Sequence, residues 1–426
     1  LLQPLPMRTM TRALLVGVVI AGVASAAAVA QRPANTAPLR AEIERRMAAV
    51  MPRVVGWRRD IHEHPELSGD EVRTAALVAA HLTSLGMDVT TSVGGHGVVG
   101  LLRGGKPGPV VALRADMDAL PVAELVDVPF RSMVRSTYRG QAVGVMHACG
   151  HDNHVAILMG AAEVLAGMKA MLPGTVKFVF QPAEEGAPNG EGGAAPMIRA
   201  GVLENPHVDA MFGLHVFPGP LGSIGYRIGP LLAAANSFSL TVRGRQTHGA
   251  APWAGVDPIV VGSQIVIGLQ TIISRQTDIT AVPAIVTVGA INGGIRSNII
   301  PDSVVMIGTI RTFDPVQRTD VFARMKRTAE QIAASSGASA VFVVDSGYPV
   351  TINDTALTNQ MLPSLRWASG EAGASIRPLV TGAEDFAFFQ EKVPGMFVML
   401  GVTPKDKDPR TAAANHSPYF FADEAA

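Results

Sequence analysis

The chain has 426 residues, 48% of them hydrophobic, with 35 basic and 35 acidic side chains and a formal net charge of zero. That length suits two domains and more than one core. Balanced, interspersed charge without an aromatic-basic platform excludes the footprint of a nucleic-acid binder and points to a small-molecule partner.

Residues 1–30 read as a leader. Arg8 and Arg12 precede an apolar run over 13–23, and small residues end at Ala28-Val29-Ala30, the pattern of a secretory signal with cleavage near Ala30. The residues before Met7 look like upstream sequence, and an uncleaved membrane anchor is the alternative. Export to the periplasm or beyond, with no stable membrane association after cleavage, is the expectation. It bears on Cys149, the only cysteine. Exported chains usually pair their cysteines, so this one is a buried small hydrophobe, an exposed liability or a metal ligand.

After a spacer at 31–38, a helical pattern runs from 39 through Trp57 toward His62. His62-Glu63-His64-Pro65 reads as a loop or pocket wall, and Ser68 with Glu71 as the capping box of a helix ending near Leu85, before Gly86. Apolar strands at 98–102 and 110–113 flank a glycine-rich turn. The second leads into Arg114-Ala115-Asp116-Met117-Asp118, acidic residues where open α/β sheets place their ligands, although Asp116 reads equally as a turn former.

Met146-His147-Ala148-Cys149-Gly150-His151-Asp152-Asn153-His154 precedes a helical run at 155–168. A thiolate and imidazoles two residues apart suit a borderline transition metal. Asp152 or Asn153 is the expected N-cap, and the positive helix end favours the Cys149 thiolate. Strand 176–180 leads to Glu184-Glu185. Read as extended chain, this pair turns one carboxylate to metal and the other to substrate. Strand 210–214 delivers His215, and His416 stands near the C-terminus. Cys149, His151, Glu185, His215 and His416 are too many donors for one tetrahedral ion and suit two ions sharing a bridge.

From 233 to 346 the order is strand 238–242, helix 258–273, strands 285–288 and 304–310, helix 315–334 and strand 340–344. This β-α-β-β-α-β succession predicts a ferredoxin-like unit inserted into a larger domain formed by 39–232 and 347–424. It carries His248, Gly294, Asn298 and Arg311, donors suited to a carboxylate or a charged intermediate. The chain then returns through Gly382-Ala383-Glu384-Asp385-Phe386, with Gly382 a further substrate-binding candidate.

Taken in order, R-A-D-M-D-A-L-P, C-G-H-D-x-H, F-Q-P-A-E-E-G, G-L-H-V, H-G-A-A-P, S-N-I-I-P-D, G-A-E-D-F and H-S-P resemble the hippurate hydrolase and indoleacetyl-amino-acid amidohydrolase group of the aminoacylase/carboxypeptidase two-metal hydrolases. The resemblance spans nearly all of the chain after the leader. It implies an α/β fold with a central mixed sheet flanked by helices, an inserted ferredoxin-like α+β lid, and a homodimer or higher assembly formed through that lid. It also implies two divalent ions per subunit, zinc or manganese, with cobalt and nickel as alternatives. Cys149 stands where more distant relatives place a bridging aspartate; His151, Glu185, His215 and His416 match the other ligands, and Glu184 matches the general base. His248 looks like a residue that reaches across the dimer to the oxyanion, while Asn298 and Arg311, with the Gly294 backbone, resemble binders of substrate carbonyl and carboxylate. Distant relatives have His-x-Asp where this chain has Asp116-Met117-Asp118, so Asp116 is not assigned as a ligand; Asp118 is placed behind the ligands and His154 is left without a role. The implied reaction is hydrolysis of an N-acyl-amino acid. A dipeptidase or carboxypeptidase with the same metal pair is one alternative. A non-catalytic exported binding protein is the other, and the adjacent glutamates weigh against it.

Overall fold

Two sheets organise the residues that the computed structural model describes, 37–187 and 193–426. The leader at 1–30 lies outside the described residues. The larger sheet has eight strands, in the order Asp88–Thr90, Val98–Arg103, Pro173–Gln181, Lys106–Asp116, Ala210–Pro220, Gly395–Thr403, Ile224–Tyr226 and Ala374–Ile376. Lys106–Asp116 runs parallel to both of its neighbours, and Ala210–Pro220 runs parallel to Gly395–Thr403; Val98–Arg103 joins antiparallel, which makes the sheet mixed. Parallel strands need cover on both faces. On one face, helices place Ile61, Val78, Leu82, Val155 and Met159 against Phe178 and Phe180. On the other, Met197, Phe386 and Phe389 pack with Val179, Phe217 and Phe397. Because the central strands run parallel, Asp116, Gln181 and His215 come out toward one sheet edge, where open α/β sheets bind ligands.

Three local expectations change. The helix Ala37–Glu63 extends through His62, which is buried in its last turn and not in a loop. Ser68 and Glu71 form no capping box: Ser68 donates to Asp118, Glu71 accepts from Gly69 and Ala183, and Glu66 instead receives the first free amides of helix Val72–Ser84, those of Arg73 and Thr74. Helix His151–Ala166 begins earlier than its apolar period suggests and is entered through Gly150, not capped by Asp152 or Asn153. Gly150 has φ +88°, and a Cβ there would meet Val216 Cγ2 at 2.4 Å, so glycine is required on both grounds. Asp152 is free to turn inward to Arg58 and His62.

The second sheet is antiparallel, in the order Ala284–Asn292, Ser303–Thr312, Ala234–Arg243, Ser339–Ser346, the ferredoxin-like arrangement that the succession of elements predicts. Helices Pro258–Thr271 and Pro315–Ser335 cover one face, each opened by an aspartate cap, Asp257 or Asp314, followed by proline. The first continues as a π-helical turn, Ile272–Gln276. Alternation leaves Ser237, Ile307, Thr309, Arg311 and Val343 on the face without helices. The two chain crossings into and out of this unit meet as a short antiparallel pair, Gly229–Leu232 with Thr351–Asn353.

Candidate metal centre

Four separate stretches bring the cysteine and its neighbours together. Cys149 Sγ lies 3.3 Å from His215 Nε2 and 3.2 Å from His416 Nε2, and His416 Nε2 lies 2.9 Å from Glu185 Oε1. The donor atoms of Cys149, His151 and His215 fall within 4.8 Å of one another, as do those of Cys149, Glu185 and His416. The two triads share only the sulfur. That is the donor set of two ions bridged by one thiolate. Asn415 fastens the C-terminal segment to this point, its amide donating to the carbonyls of Cys149 and Val216.

The imidazoles are set for coordination by their outer hydrogen bonds. His151 Nδ1 faces the Asp118 carbonyl at 2.9 Å and its carboxylate at 3.1 Å, while the buried Nε2 has no hydrogen-bond partner among the described residues. His215 Nδ1 donates to the Val216 carbonyl, leaving Nε2 toward the sulfur. Holding Nδ1–H on a fixed acceptor selects the tautomer whose Nε2 can take a cation. Burial pushes the Cys149 thiol up, against the pull of His151 and His416, so the helix end alone does not supply a thiolate. Two bound divalent cations fit these observations: they would favour the thiolate and occupy the orphaned Nε2.

Glu184 and Glu185 were expected on opposite sides of an extended loop. They instead occupy a turn from Ala183 to Gly186, closed by the Gly186 amide on the Ala183 carbonyl at 3.2 Å, with Ala183 at φ +52° and Gly186 at φ +90°. The turn swings both carboxylates to one side, where they share a 4.8 Å cluster with His151. His215 lies within its strand and not at its end, because Ala210–Pro220 continues past it. Burial, then the charges of Glu384, Glu185 and Asp385, holds the Glu184 carboxyl well above the usual range.

Behind the donors lies a buried polar layer that motif reading missed. Arg114 donates to Asp116 at 2.7 Å, Asp385 at 2.8 Å and Gln181 at 2.9 Å, and pairs with Glu384 at 2.9 Å. A charged residue inside an apolar strand was the available signal, since an arginine is seldom fully buried without partners. His154 sits between Asp116, on Nδ1, and the Val216 amide, which donates to Nε2 at 2.9 Å. Both of its nitrogens are engaged, so it buttresses Asp116; the close group of Asp116, His151 and His154 is not a third ligand set. Asp118 takes hydrogen bonds from Ser68 and the Glu185 amide while facing His151, and so stands behind the donors.

The remaining candidates lie elsewhere. His248 is exposed, its Nδ1 accepting from Ala250, and Asn298 adjoins it through the Gly249 amide. Gly294 lines a nearby hollow of about 630 Å³. Among the described residues no hydrogen bond or ion pair joins His248, Asn298 or Gly294 to the cysteine cluster. Arg311 is half-buried and lines a hollow of about 180 Å³ with Tyr348, whose hydroxyl donates to the Glu184 carbonyl. The Gly382 carbonyl accepts from Ala233.

The fold and the clustered donors define a metal-dependent amide-bond hydrolase with a site for two divalent ions. The chain belongs to peptidase family M20/M25/M40, whose model matches residues 112–426. It is 42% identical over 374 residues to thermostable carboxypeptidase 2 of Saccharolobus solfataricus, covering 87% of this chain and 91% of that one. It is 40% identical over 385 residues to the IAA-amino acid hydrolase ILR1-like 4 of Arabidopsis thaliana, covering 87% and 81%. Among solved structures, the YXEP protein of Bacillus subtilis, described as a dinuclear metal binding peptidase from the M20 family, superposes with a TM-score of 0.74 at 37% identity, covering 88% and 94%.

Proposed function

We propose that the chain hydrolyses the amide bond of N-acyl-amino acids, hippurate-like or bearing acetyl or aryl-acyl groups, to a carboxylate and a free amino acid. The observation that carries this reading is the buried Glu184 carboxylate beside the two triads that share Cys149. Cys149, His151 and His215 would hold one divalent ion, and Cys149, Glu185 and His416 the other. Zinc suits the thiolate, with manganese next and cobalt or nickel as alternatives. Bound there, such ions supply Lewis acidity and make water a better proton donor. Glu184 takes the proton of the attacking water and returns it to the departing amine.

The Arg311 side chain makes no hydrogen bond or ion pair among the described residues and is half-buried, which fits it to receive the amino-acid carboxylate. Asn298 and the Gly294 backbone, on the loops beside His248, complete substrate binding, and Gly382 borders the return to the larger sheet. In this reading the four-stranded unit, 233–346, is a lid and dimerisation domain, and His248 meets the developing oxyanion from the partner subunit. The paired crossings Gly229–Leu232 and Thr351–Asn353 form its hinge. The likeness to a carboxypeptidase supports a second reading, in which the acyl group is itself an aminoacyl residue. Export rests on the leader at 1–30 and is tested by the N-terminus of protein recovered from the periplasmic or secreted fraction.

The test is free-amine release by metal-loaded protein from N-acetyl-, benzoyl- and indoleacetyl-amino acids, run against dipeptides. The first group is expected to be cleaved faster; preference for dipeptides selects the peptidase reading, and no release from either class refutes both. Glu184→Gln should lose about 10²- to 10⁴-fold in rate with metal retained. Mixing inactive His248→Ala and Glu184→Gln subunits should restore activity if His248 acts across the dimer; verified exchange without recovery would place it in its own subunit.

A further inference from the structure

The turn that carries Glu184 and Glu185 is held in a conformation its residues do not favour. Ala183 is in the left-handed region, φ +52°, which a residue with a Cβ avoids unless its surroundings impose it. Each peptide of the turn has an anchor. The Ala183 amide donates to Glu71 Oε1 at 2.8 Å, the Glu185 amide to Asp118 Oδ2 at 3.0 Å, the Gly186 amide to the Ala183 carbonyl, and the Glu184 carbonyl receives the Tyr348 hydroxyl. Asp118 and Tyr348 act within and after the turn. Its first peptide is held on both sides, the Pro182 carbonyl by the Gly193 amide at 3.2 Å and the Ala183 amide by Glu71, the one side chain among these contacts that reaches the residue whose backbone sets the direction of all that follows.

Glu71 has no exposed surface, and its Oε1 also accepts the Gly69 amide at 2.8 Å while Oε2 has no partner among the described residues. One oxygen therefore joins the loop before helix Val72–Ser84 to the turn, 112 positions away in sequence. We propose that Glu71 is a positioning residue: it fixes the left-handed Ala183 peptide and so turns the Glu184 and Glu185 carboxylates to the same side. The effect on turnover rests on the hydrolase reading; the contact itself does not. Without the acceptor, a buried amide is left unpaired, Ala183 can relax toward ordinary backbone angles, and both carboxylates lose their common direction.

Glu71→Asp separates this role from a merely structural one. It keeps the charge and the local reach to Gly69 but shortens the side chain by one methylene, which takes Oε1 out of hydrogen-bond range of Ala183. The expected result is a loss of about 10²-fold in kcat with KM little changed, and one of the two zinc ions removed by a chelator about tenfold more readily. Glu71→Gln, whose amide oxygen can accept the same two amides, should restore kcat to near wild type. Glu71→Asp with wild-type kcat and metal retention would overturn the proposal, as would Glu71→Gln as impaired as Glu71→Asp. If Glu71→Asp does not melt cooperatively, hydrogen exchange on the wild-type chain decides: the Ala183 amide should be among the slowest to exchange in 181–187, and fast exchange there refutes the contact. A wild type that cleaves no amide would sink the hydrolase reading, while the exchange measurement would still report on Glu71.

Discussion

Arg114→Met tests the buried layer behind the donors. The guanidinium is fully enclosed and is the cation shared by Asp116, Glu384 and Asp385, with Gln181 completing its partners. Burial opposes its charge, yet those carboxylates hold its proton even more firmly than usual. Methionine fills much of the volume but leaves three enclosed carboxylates without that cation. Removing one partner of a buried pair costs about 3–5 kcal/mol, and with three acceptors affected the upper part of that range is expected. The pH dependence has a definite sign. Burial first, and neighbouring carboxylates with it, pushes Glu384 up to about 8 and Asp385 up to about 6, while Arg114 pulls both down. Acids raised in the folded state contribute stability below their unfolded values, and that contribution is lost as pH rises through the folded ones. Removing Arg114 raises both further, so the deficit of the variant should be largest above about pH 8 and smallest near about pH 5, where the acids take protons. Denaturant unfolding of both chains at the two pH values measures this. A deficit below about 1 kcal/mol, or one equal at both pH values, would refute the account.

His62 should add to the same alkaline limb from a different origin. Burial lowers its proton affinity, but Asp152 and Glu124 together raise the imidazole to about 9. Its folded value exceeds the unfolded value of about 6.5, so its contribution is complete below that pH and is lost as pH rises through about 9; His62→Gln should flatten the alkaline fall in melting temperature. Chelation should lower the melting temperature without unfolding the chain, and zinc or manganese should restore it, each site contributing about 2.7 kcal/mol of stability at a hundredfold excess over its dissociation constant. Cys149→Ser should weaken that response, because both triads lose their shared donor; an unchanged metal titration would count against the bridging sulfur.

Much of the site could be read from residue types placed after apolar runs. Glu185 follows one central parallel strand and His215 lies near the end of another, so both reach one sheet edge; Cys149 and His151 enter helix His151–Ala166 beside it, and His416 arrives on the segment fastened by Asn415. The four-stranded unit was legible for a similar reason: its alternation and its Asp-Pro helix starts are local signals. What stayed hidden depends on contacts across long separations. Arg114 meets Asp385 over 271 positions and His62 meets Asp152 over 90, and neither pairing leaves a periodic trace. The side on which Glu184 falls is not legible in the sequence, because a left-handed alanine is imposed from outside by Glu71 and does not follow from local propensity.

The same long-range partners explain why the donor set persists as a unit. Each ring whose Nε2 faces the cluster from the sheet side has its Nδ1 bound to a fixed acceptor, Asp118 for His151 and the Val216 carbonyl for His215. Asp118 is itself held by Ser68 and the Glu185 amide, so His151 and Glu185 are oriented by one carboxylate. These hydrogen bonds orient both rings toward the cluster, and bound cations would also offset the repulsion among Glu184, Glu185 and their buried neighbours. It follows that the buried donors on the sheet edge and the exposed His416, which reaches the cluster from a C-terminal segment fastened by Asn415, should differ in behaviour. Loosening Asn415 ought to release the ion shared with Glu185 before the one held by His151 and His215.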